Sequence, residues 1–333
     1  VDLECLNCNP KAENMCAHRN WAVAIIAARE SIEMLRSTIG ATVAASAGRD
    51  TIVDLLINGN SALARECAAW ASNTYCGTAR LRVWSIGQGD KAHAWNEYVH
   101  RIWPAGRTAF FLDGYARPRT DGLAQLDASL AKAPEAFGAT GVPTSGRSAP
   151  ALRAAMLSGG GFHGNMNAIP VHAMTQLRTS RFCLPLGLYR TDSLIGSVLM
   201  FALDPTTQQW DPRRIVVNGE ATWDVPGQAD FTVQNILAQF KRRQRQAQGD
   251  LENRAAREHM AVRRLPITQF PKTVRELVLD WIASHPDEAR RLYLKNPLRL
   301  RAARRMRAPQ DWLAAERAPE LLYDMRQAVE QPD

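Results

Sequence analysis

Residues 108–115 read TAFFLDGY, an apolar run that ends abruptly in Asp113, Gly114 and Tyr115. A short apolar run bounded by turn residues predicts a buried β-strand. A carboxylate at the end of such a strand is costly to bury unless it is paired or bound to a metal. Aspartate also serves in turns and as a helix N-cap, so a structural role for Asp113 is the alternative interpretation.

Three units of the same kind precede this stretch, each an apolar run followed by an amphipathic helix. Strands are predicted at residues 21–26, 51–57 and 81–86. Near-continuous apolar strands separated by amphipathic helices predict a mostly parallel sheet covered on both faces. Ligands bind outside the carboxyl ends of the strands in such sheets. We therefore expect functional residues directly after each strand, in these segments: 28–30, 58–60, 87–91 and 113–115.

The second half of the chain has a looser pattern. Residues 137–142 and 214–217 are typical of short strands, and a buried helix is predicted to begin near Asp192. Gly159, Gly160 and Gly161 indicate a hinge or a close approach of two backbones. From about residue 230 the pattern is helical, with helices predicted over 231–248 and 272–284.

The composition is that of a folded protein with an uneven charge. The chain has 333 residues, 46% of them hydrophobic and 22% charged, and no run of 18 apolar residues. The net charge is +8, and the basic excess lies in the last third. A basic flank of this kind fits nucleic acid, anionic lipid or an anionic substrate, or else a set of solvated helix faces.

Three of the six cysteines lie at the N-terminus, as Cys5, Cys8 and Cys16, with His18 close behind. The interval between Cys16 and His18 is tighter than most zinc sites use, and no second pair follows, so zinc is not expected there. No paired cysteine framework is visible, which favours a reducing compartment. We expect a cytoplasmic protein, with the inner face of a membrane as a candidate surface.

Several common catalytic motifs are absent from the sequence. There is no P-loop, and no G-x-G-x-x-G follows the first strand. There is also no G-x-S-x-G elbow and no H-E-x-x-H helix. The first two absences weaken the kinase and dehydrogenase interpretations.

Four stretches, taken in order and spacing, resemble the family-2 glycosyltransferases, whose domain is called the GT-A fold. They are AARE at 27–30, LINGNS at 56–61, GDKAHAWN at 89–96 and FLDGYARP at 111–118. The resemblance covers about the first half of the chain. It implies an α/β fold, with a mostly parallel sheet and helices on both faces, that binds a nucleotide diphosphate sugar.

The resemblance also implies roles for residues at the strand ends. The family uses an Asp-x-Asp pair to hold a divalent cation, Mn²⁺ or Mg²⁺, and to contact the ribose. Asp113 matches the first position, whereas Tyr115 replaces the second, so metal dependence is in doubt. Ala28, Glu30 and Asn58 are candidates for contacting the nucleoside, with uridine favoured. Lys91 is a candidate for the phosphates, or else a solvated lysine at a helix start.

An inverting transfer needs a base for the acceptor hydroxyl. Residues 186–195, LGLYRTDSLI, are similar to the region of the family that carries it, and Asp192 matches the base. An acid at a helix start is also a good cap, which is the structural alternative. Gly160, Gly161 and His163 lie in a stretch that resembles the loop lining the acceptor pocket.

A partial match to the Gln-x-x-Arg-Trp region of polysaccharide synthases follows at residues 242–246. Arg245 matches the arginine and is a candidate for the diphosphate, but Gln246 replaces the tryptophan, which puts processivity in doubt. The alternative is a basic amphipathic helix.

These observations divide the chain into three parts. An extension with cysteines covers residues 1–20 and a GT-A domain covers 21–228, with a nucleotide-sugar half at 21–130 and an acceptor half at 131–228. A basic helical region follows at 229–333. The acceptor is expected to be a glycan or a lipid-linked glycan, because basic helices suit an anionic membrane surface.

Two rival functions stay open. A sugar nucleotidyltransferase would normally carry a Gly-rich basic loop after the first strand, which residues 27–30 do not provide. A catalytically silent module that binds sugar or a polyanion would explain the missing second aspartate. Aromatic residues are sparse among the basic helices, so nucleic acid is not an expected partner.

Overall fold

The computed structural model describes residues 20–146, 149–226 and 233–325. The predicted boundary at 228/229 and the residues Cys5, Cys8, Cys16 and His18 lie outside these ranges. In chain order the strands are β1 Trp21–Ala27, β2 Thr51–Asn58, β3 Arg80–Ile86, β4 Thr108–Asp113, β5 Arg117–Pro118, β6 Gly138–Pro143, β7 Met166–Ile169, β8 Ile215–Asp224 and β9 Glu320–Asp324.

Helices separate most of these strands. They are α1 Ile32–Ala45, α2 Ser61–Thr74, α3 Lys91–Glu97, α4 Gly122–Lys132, α5 Ala149–Gly159, α6 Val171–Ser180, α7 Thr191–Met200, α8 Val233–Arg257, α9 Val274–Ser284, α10 Pro286–Lys295 and α11 Pro297–Arg307. Short helical turns lie at Tyr98–Ile102, Pro212–Arg214, Glu258–Val262, Ile267–Gln269 and Leu313–Glu316. No helix in the described ranges is both long and apolar enough to cross a bilayer.

The strands of the described ranges form a nine-stranded sheet in the order β5-β8-β6-β7-β4-β1-β2-β3-β9. Its centre, β4-β1-β2-β3, is parallel. β7 lies antiparallel between β4 and β6, and β9 pairs antiparallel with β3 at the far edge. The mostly parallel sheet expected from the sequence is confirmed, with antiparallel strands added where the sequence pattern was weaker.

Both faces of the sheet are covered, as β1 illustrates. All seven of its residues are buried, and they alternate between two apolar cores. Ala22, Ala24 and Ile26 join the core that also contains α7 and residues of the C-terminal helices. Val23 and Ile25 join the core beneath α1, α2 and α4. Because neither face of β1 meets water, its sequence shows no apolar–polar alternation.

The loops after β2 and β3 touch each other at the carboxyl edge of the sheet. Gly59 has a φ of +67°, and its N–H donates to the carbonyl of Ile86 at 2.8 Å. A Cβ on Gly59 would stand 2.3 Å from the Cα of Gly89. Only glycine fits both the left-handed backbone and the contact, so the two loops are held together where a ligand is expected.

The C-terminal helices pack onto the sheet domain. Leu251 and Ala255 of α8, together with Leu277 and Trp281 of α9, lie in the same core as strand β1 and helix α7. The capping box of Thr273 and Glu276 begins α9, two residues after the start predicted from the sequence. The helical region is therefore continuous with the core of the sheet domain.

Candidate functional site

Asp113 ends β4, and both oxygens of its carboxylate have hydrogen-bond donors. The ammonium of Lys91 pairs with Oδ1, and the hydroxyl of Tyr115 donates to Oδ2 at 3.1 Å. Asn165 donates to Oδ2 at 3.0 Å in the amide orientation in which its oxygen accepts from Trp223 Nε1 at 3.0 Å. The carboxylate is 14% exposed, and these contacts stabilise its charge there.

Lys91 begins helix α3 and supplies the positive charge of the site. Its side chain is 36% exposed and lies within electrostatic range of Asp113, Asp192 and Glu30. Burial alone would lower the pKa of Lys91, but the three carboxylates outweigh it and raise that pKa above its ordinary value. Lys91 is therefore cationic throughout the physiological range.

Asp90, one residue before Lys91, connects α3 to the other side of the site. Its carboxylate accepts from the N–H of His93 at 2.7 Å, which caps the helix, and from the N–H of Gly187 at 2.7 Å. Burial raises the pKa of Asp90, whereas these hydrogen bonds oppose that shift. The helix that carries Lys91 is thus tied to the segment that leads into α7.

Asp192 lies in the first turn of α7 and approaches Lys91 across a glycine. The N–H of Gly164 donates to Asp192 Oδ2 at 3.2 Å. A Cβ on Gly164 would stand 3.3 Å from Lys91 Nζ and 3.4 Å from Asp192 Cβ. Lys91, the cation beside Asp113, and Asp192, the predicted base, are therefore neighbours, and Gly164 between them has no side chain.

The segment before α7 is held by a buried carboxylate from α8. Glu252 is 1% exposed and accepts from the N–H of Tyr189 at 3.1 Å and of Arg190 at 3.0 Å. Gln248 donates to the same carboxylate at 2.8 Å and to the carbonyl of Gly187 at 3.3 Å. Burial raises the pKa of Glu252, and the donors oppose that shift. The orientation of α7, and with it Asp192, thus depends on the C-terminal helices.

The half-buried ring of His163 packs on the fully buried ring of Trp223 next to the site. Their ring centroids are 5.2 Å apart, and His163 Nδ1 accepts from the N–H of Asn165 at 3.2 Å. Burial lowers the pKa of His163, although Asp192 and Asp113 pull in the opposite direction. The imidazole is therefore neutral at neutral pH.

The predicted nucleoside contacts are used within the protein. Asn58 is buried and donates from its side chain to the carbonyl of Ala27 at 2.8 Å. Glu30 folds back to accept from the N–H groups of Ala28 at 2.7 Å and Arg29 at 2.9 Å. Both side chains brace the loop after β1, and the half-buried carboxylate of Glu30 is also one of the three near Lys91.

The remaining predicted residues lie around this centre. Gly160 and Gly161 have φ values of +74° and +139°, and they lead directly into His163. Arg245 is exposed on α8, with its guanidinium 5.7 Å from the ring centroid of Tyr189. The structure thus brings the predicted acceptor loop next to Asp113, while Arg245 lies over the segment that precedes α7.

The side chains around Asp113 do not form a ligand set for a divalent cation. Among the described residues, no group of three or more His, Cys, Asp or Glu side chains is arranged to hold a metal ion. Tyr115 occupies the position of a second carboxylate, and burial, together with the charge of Asp113, raises the pKa of its phenol well above the ordinary value. Mg²⁺ and Mn²⁺ prefer charged oxygen ligands, and of these two side chains only Asp113 supplies one, on a carboxylate whose charge Lys91 already balances.

The comparisons with known proteins bear on this architecture. No family model matches the sequence, and no curated protein matches it. A solved mannosyltransferase from Pyrobaculum calidifontis, in complex with GDP-Man and Mn²⁺, is similar with a TM-score of 0.51 at 16% identity, covering 90% of this chain and 87% of that one. The chain has the GT-A glycosyltransferase fold.

A second solved structure has a lower similarity. The glucosyl-3-phosphoglycerate synthase of Mycobacterium tuberculosis, in complex with phosphoglyceric acid, has a TM-score of 0.41 at 14% identity, covering 75% of this chain and 82% of that one. That score carries no argument about this protein. The GT-A assignment therefore rests on the sheet described above and on the mannosyltransferase.

Four residues around Asp113 and Asp192 were not predicted from the sequence: Gly164, Asn165, Trp223 and Glu252. Asn165 carried a usable signal, since it lies two residues after the predicted His163, and Asp90 lies within the predicted segment 87–91. Glu252 carried none, because it lies among the charged residues of a long helix and its partner at Tyr189 is 63 residues away.

Proposed function

We propose that this protein transfers a sugar from a nucleotide diphosphate sugar, with a uridine nucleotide favoured, to a hydroxyl group, with inversion at the anomeric carbon. Asp192 is the general base. The observation that carries the proposal is the approach of Lys91 and Asp192 across Gly164, because it joins a phosphate-binding charge and a base in one site. The GT-A fold supports this interpretation.

On the donor side, the leaving group is a nucleoside diphosphate, whose negative charge grows as the glycosidic bond breaks. Lys91, oriented by Asp113, stabilises that charge. Glu30 and Asn58 brace the loop after β1 against which the nucleoside lies. Arg245 is a further candidate contact for the diphosphate.

On the acceptor side, Asp192 accepts the proton of the attacking hydroxyl. The hydroxyl oxygen forms a bond to the anomeric carbon while the bond from that carbon to the diphosphate oxygen breaks, and the diphosphate leaves with the electron pair. The hydrogen bond from Gly164 orients the carboxylate. The neutral, half-buried ring of His163, which packs on the fully buried ring of Trp223, offers a face against which a sugar can lie.

Donor hydrolysis tests the proposal without a known acceptor. The protein is incubated with UDP-sugars and GDP-sugars, and release of the nucleoside diphosphate is followed with the wild type and with Asp192→Asn. We expect hydrolysis of one donor class, lost in the variant, with the first sugar product seen by NMR in the anomeric configuration opposite to that of the donor. Product that retains the configuration would contradict inversion, and no hydrolysis of any donor would contradict the enzyme.

A catalytically silent binding module on the same fold is the second candidate. It is favoured by Tyr115 in place of the second acid and by the fully paired carboxylate of Asp113. Such a module would bind a nucleotide or a glycan without turnover. The hydrolysis experiment separates the two candidates once binding has been measured.

The acceptor is proposed to be a glycan or a lipid-linked glycan at the inner face of a membrane. Helix α11 contains five arginines and no acid, and Leu294 on α10 is 77% exposed. Exposed basic side chains on the two helices are Arg290, Arg291, Lys295, Arg301, Arg304, Arg305 and Arg307. A basic surface with exposed leucine suits anionic lipid.

Vesicle pelleting tests this surface. The protein should sediment with vesicles containing phosphatidylglycerol and not with phosphatidylcholine alone. Arg305→Glu should reduce sedimentation, whereas Arg65→Glu, an exposed arginine on α2, should not. Equal sedimentation with both kinds of vesicle would remove the membrane from the proposal.

A further inference from the structure

The site contains one cation among three carboxylates, and each carboxylate already has hydrogen-bond donors. Asp113 is bonded to Lys91, Tyr115 and Asn165. Asp192 accepts from the N–H of Gly164, and Glu30 accepts from two N–H groups of its own loop. A ligand that approaches Asp113 therefore meets the positive ammonium of Lys91 and not a pair of carboxylates without hydrogen-bond donors.

We propose that the donor site binds a nucleoside diphosphate without a divalent cation, and that the ammonium of Lys91 supplies the local positive charge. This inference rests on the proposed function, because it concerns the same donor site. It differs from what the Mn²⁺ of the similar mannosyltransferase would suggest for this chain.

The existing contacts of Asp113 oppose the binding of a divalent cation. A cation at Asp113 would have to share Oδ1 with the ammonium of Lys91, whose like charge repels it, or compete with Tyr115 and Asn165 for Oδ2. Moving any of these donors away would remove a hydrogen bond to a charged group, which is stronger than one between neutral groups. No second carboxylate follows Asp113 to compensate, since Tyr115 stands in that position.

The accessibility of Lys91 is the second argument. Its side chain is 36% exposed, so a ligand can approach it from solvent while the bond to Asp113 is kept. An ammonium has three donors, and Asp113 Oδ1 uses one of them. The bond to Asp113 orients the lysine in advance, which lowers the entropy lost when the diphosphate binds.

Calorimetric titration with UDP and with GDP tests the inference on the full chain. Each nucleotide is titrated in EDTA and, separately, in excess Mn²⁺. We expect one nucleotide to bind with dissociation constants in the two buffers that agree within about twofold. Binding that needs Mn²⁺ would overturn the inference and leave the proposed function intact, whereas no binding in either buffer would overturn both.

Substitution of Lys91 tests its assigned role. Lys91→Met should weaken nucleotide binding in EDTA by about tenfold or more, and Lys91→Arg should retain part of the affinity because the charge is kept. Lys132→Met, an exposed lysine at the end of α4, is the matched control and should bind as the wild type does. Equal affinity of Lys91→Met and wild type in EDTA would overturn the role of Lys91.

Tyr115→Asp recreates the acidic pair and is the gain-of-function test. This variant should bind the nucleotide more tightly in Mn²⁺ than in EDTA, by about tenfold, because it supplies a second charged oxygen ligand. Its melting temperature is measured alongside, so that a folding defect is recognised. A wild type that already shows the same metal enhancement as a folded Tyr115→Asp would contradict the inference.

Discussion

The carboxylate of Glu252 accepts a hydrogen bond from the backbone N–H of Arg190 at 3.0 Å, two residues before Asp192. Glu252 belongs to α8, in the C-terminal part of the chain, while Arg190 leads into α7. The hydrogen bond connects the basic helical region to the backbone segment that orients Asp192, the proposed base. The basic helical region is therefore part of the proposed site.

Glu252→Gln should lower turnover and spare nucleotide binding. The amide keeps one acceptor oxygen but turns an NH₂ group towards a donor, so the segment before α7 shifts and Asp192 is misplaced. A misplacement of this kind costs up to about 100-fold in rate. Donor hydrolysis measures the rate and calorimetry measures the dissociation constant, which should stay within about twofold of wild type.

The exposed Glu135, in the loop after α4, provides the control for this variant. Glu135→Gln should change neither rate nor affinity. If Glu252→Gln lowers rate and affinity together, Glu252 supports the fold in general and is not a positioning residue for Asp192.

Asp192→Asn should abolish the base and leave the donor site intact. Loss of a positioned general base costs about 10²- to 10⁴-fold in rate. The asparagine can still accept the hydrogen bond from Gly164, so the local backbone should not move. Donor binding unchanged with hydrolysis reduced to that extent is the expected result, and unchanged hydrolysis would assign the base to another residue.

His163 should make stability depend on pH below neutrality. Burial lowers its pKa in the folded state from the ordinary 6.5, so the unfolded chain takes up the proton first as the pH falls. The contribution of the neutral imidazole is present above pH 6.5 and is lost as the pH falls through the lower, folded-state pKa. Urea unfolding of the wild type and of His163→Asn between pH 7.5 and pH 5 should show a difference in unfolding free energy that shrinks towards low pH. A difference that does not change with pH would contradict this assignment.

Asp324→Asn should weaken the attachment of β9. Asp324 pairs with Arg80 on β3 through both carboxylate oxygens, one of them at 2.8 Å from Nε, and its side chain is 5% exposed. The asparagine keeps an acceptor but removes the charge that pairs with Arg80 in a largely buried contact, and we expect a loss of about 2 kcal/mol in the free energy of unfolding. Chemical denaturation measures that loss.

The pair between Asp50 and Arg107 is the control for this variant. Asp50 is 56% exposed, so Asp50→Asn should cost less than about 1 kcal/mol. Equal losses for the two variants would mean that burial of Asp324 does not govern its contribution.

The first half of the fold was predictable because its signals are local. The strands predicted at 21–26, 51–57, 81–86 and 108–112 agree with β1 to β4 within one residue at each end. These strands are buried on both faces and bounded by turns, which produces continuous apolar runs. The positions of Asp113, Lys91 and Asp192 at a strand end and at two helix starts were also predictable, because such ends can be recognised from local pattern, while their roles stay predictions.

The short strands β7 and β9 and the remaining site residues depend on contacts between segments that are distant in the sequence. β7 has four residues between a glycine-rich loop and a helix, and β9 has five residues after a run of helices. Neither is long enough to show a period, and each is a strand because of the neighbour it pairs with. The partners Asn165, Gly164 and Glu252 were missed for the same reason, since their importance comes from what the tertiary structure brings next to them.

The position of β9 at the end of the chain also affects how the protein folds during translation. Arg80 and Asp324, which join β3 to β9, are separated by 244 positions. When the first half of the chain has been translated, the edge of β3 that will pair with β9 still has unpaired backbone N–H and C=O groups. Most of the remaining sequence must be translated before β9 can pair with that edge. We expect a chaperone to bind nascent chains that are stalled before β9. Truncations or fusions that remove β9 should yield insoluble protein, even where every residue of the proposed site is present.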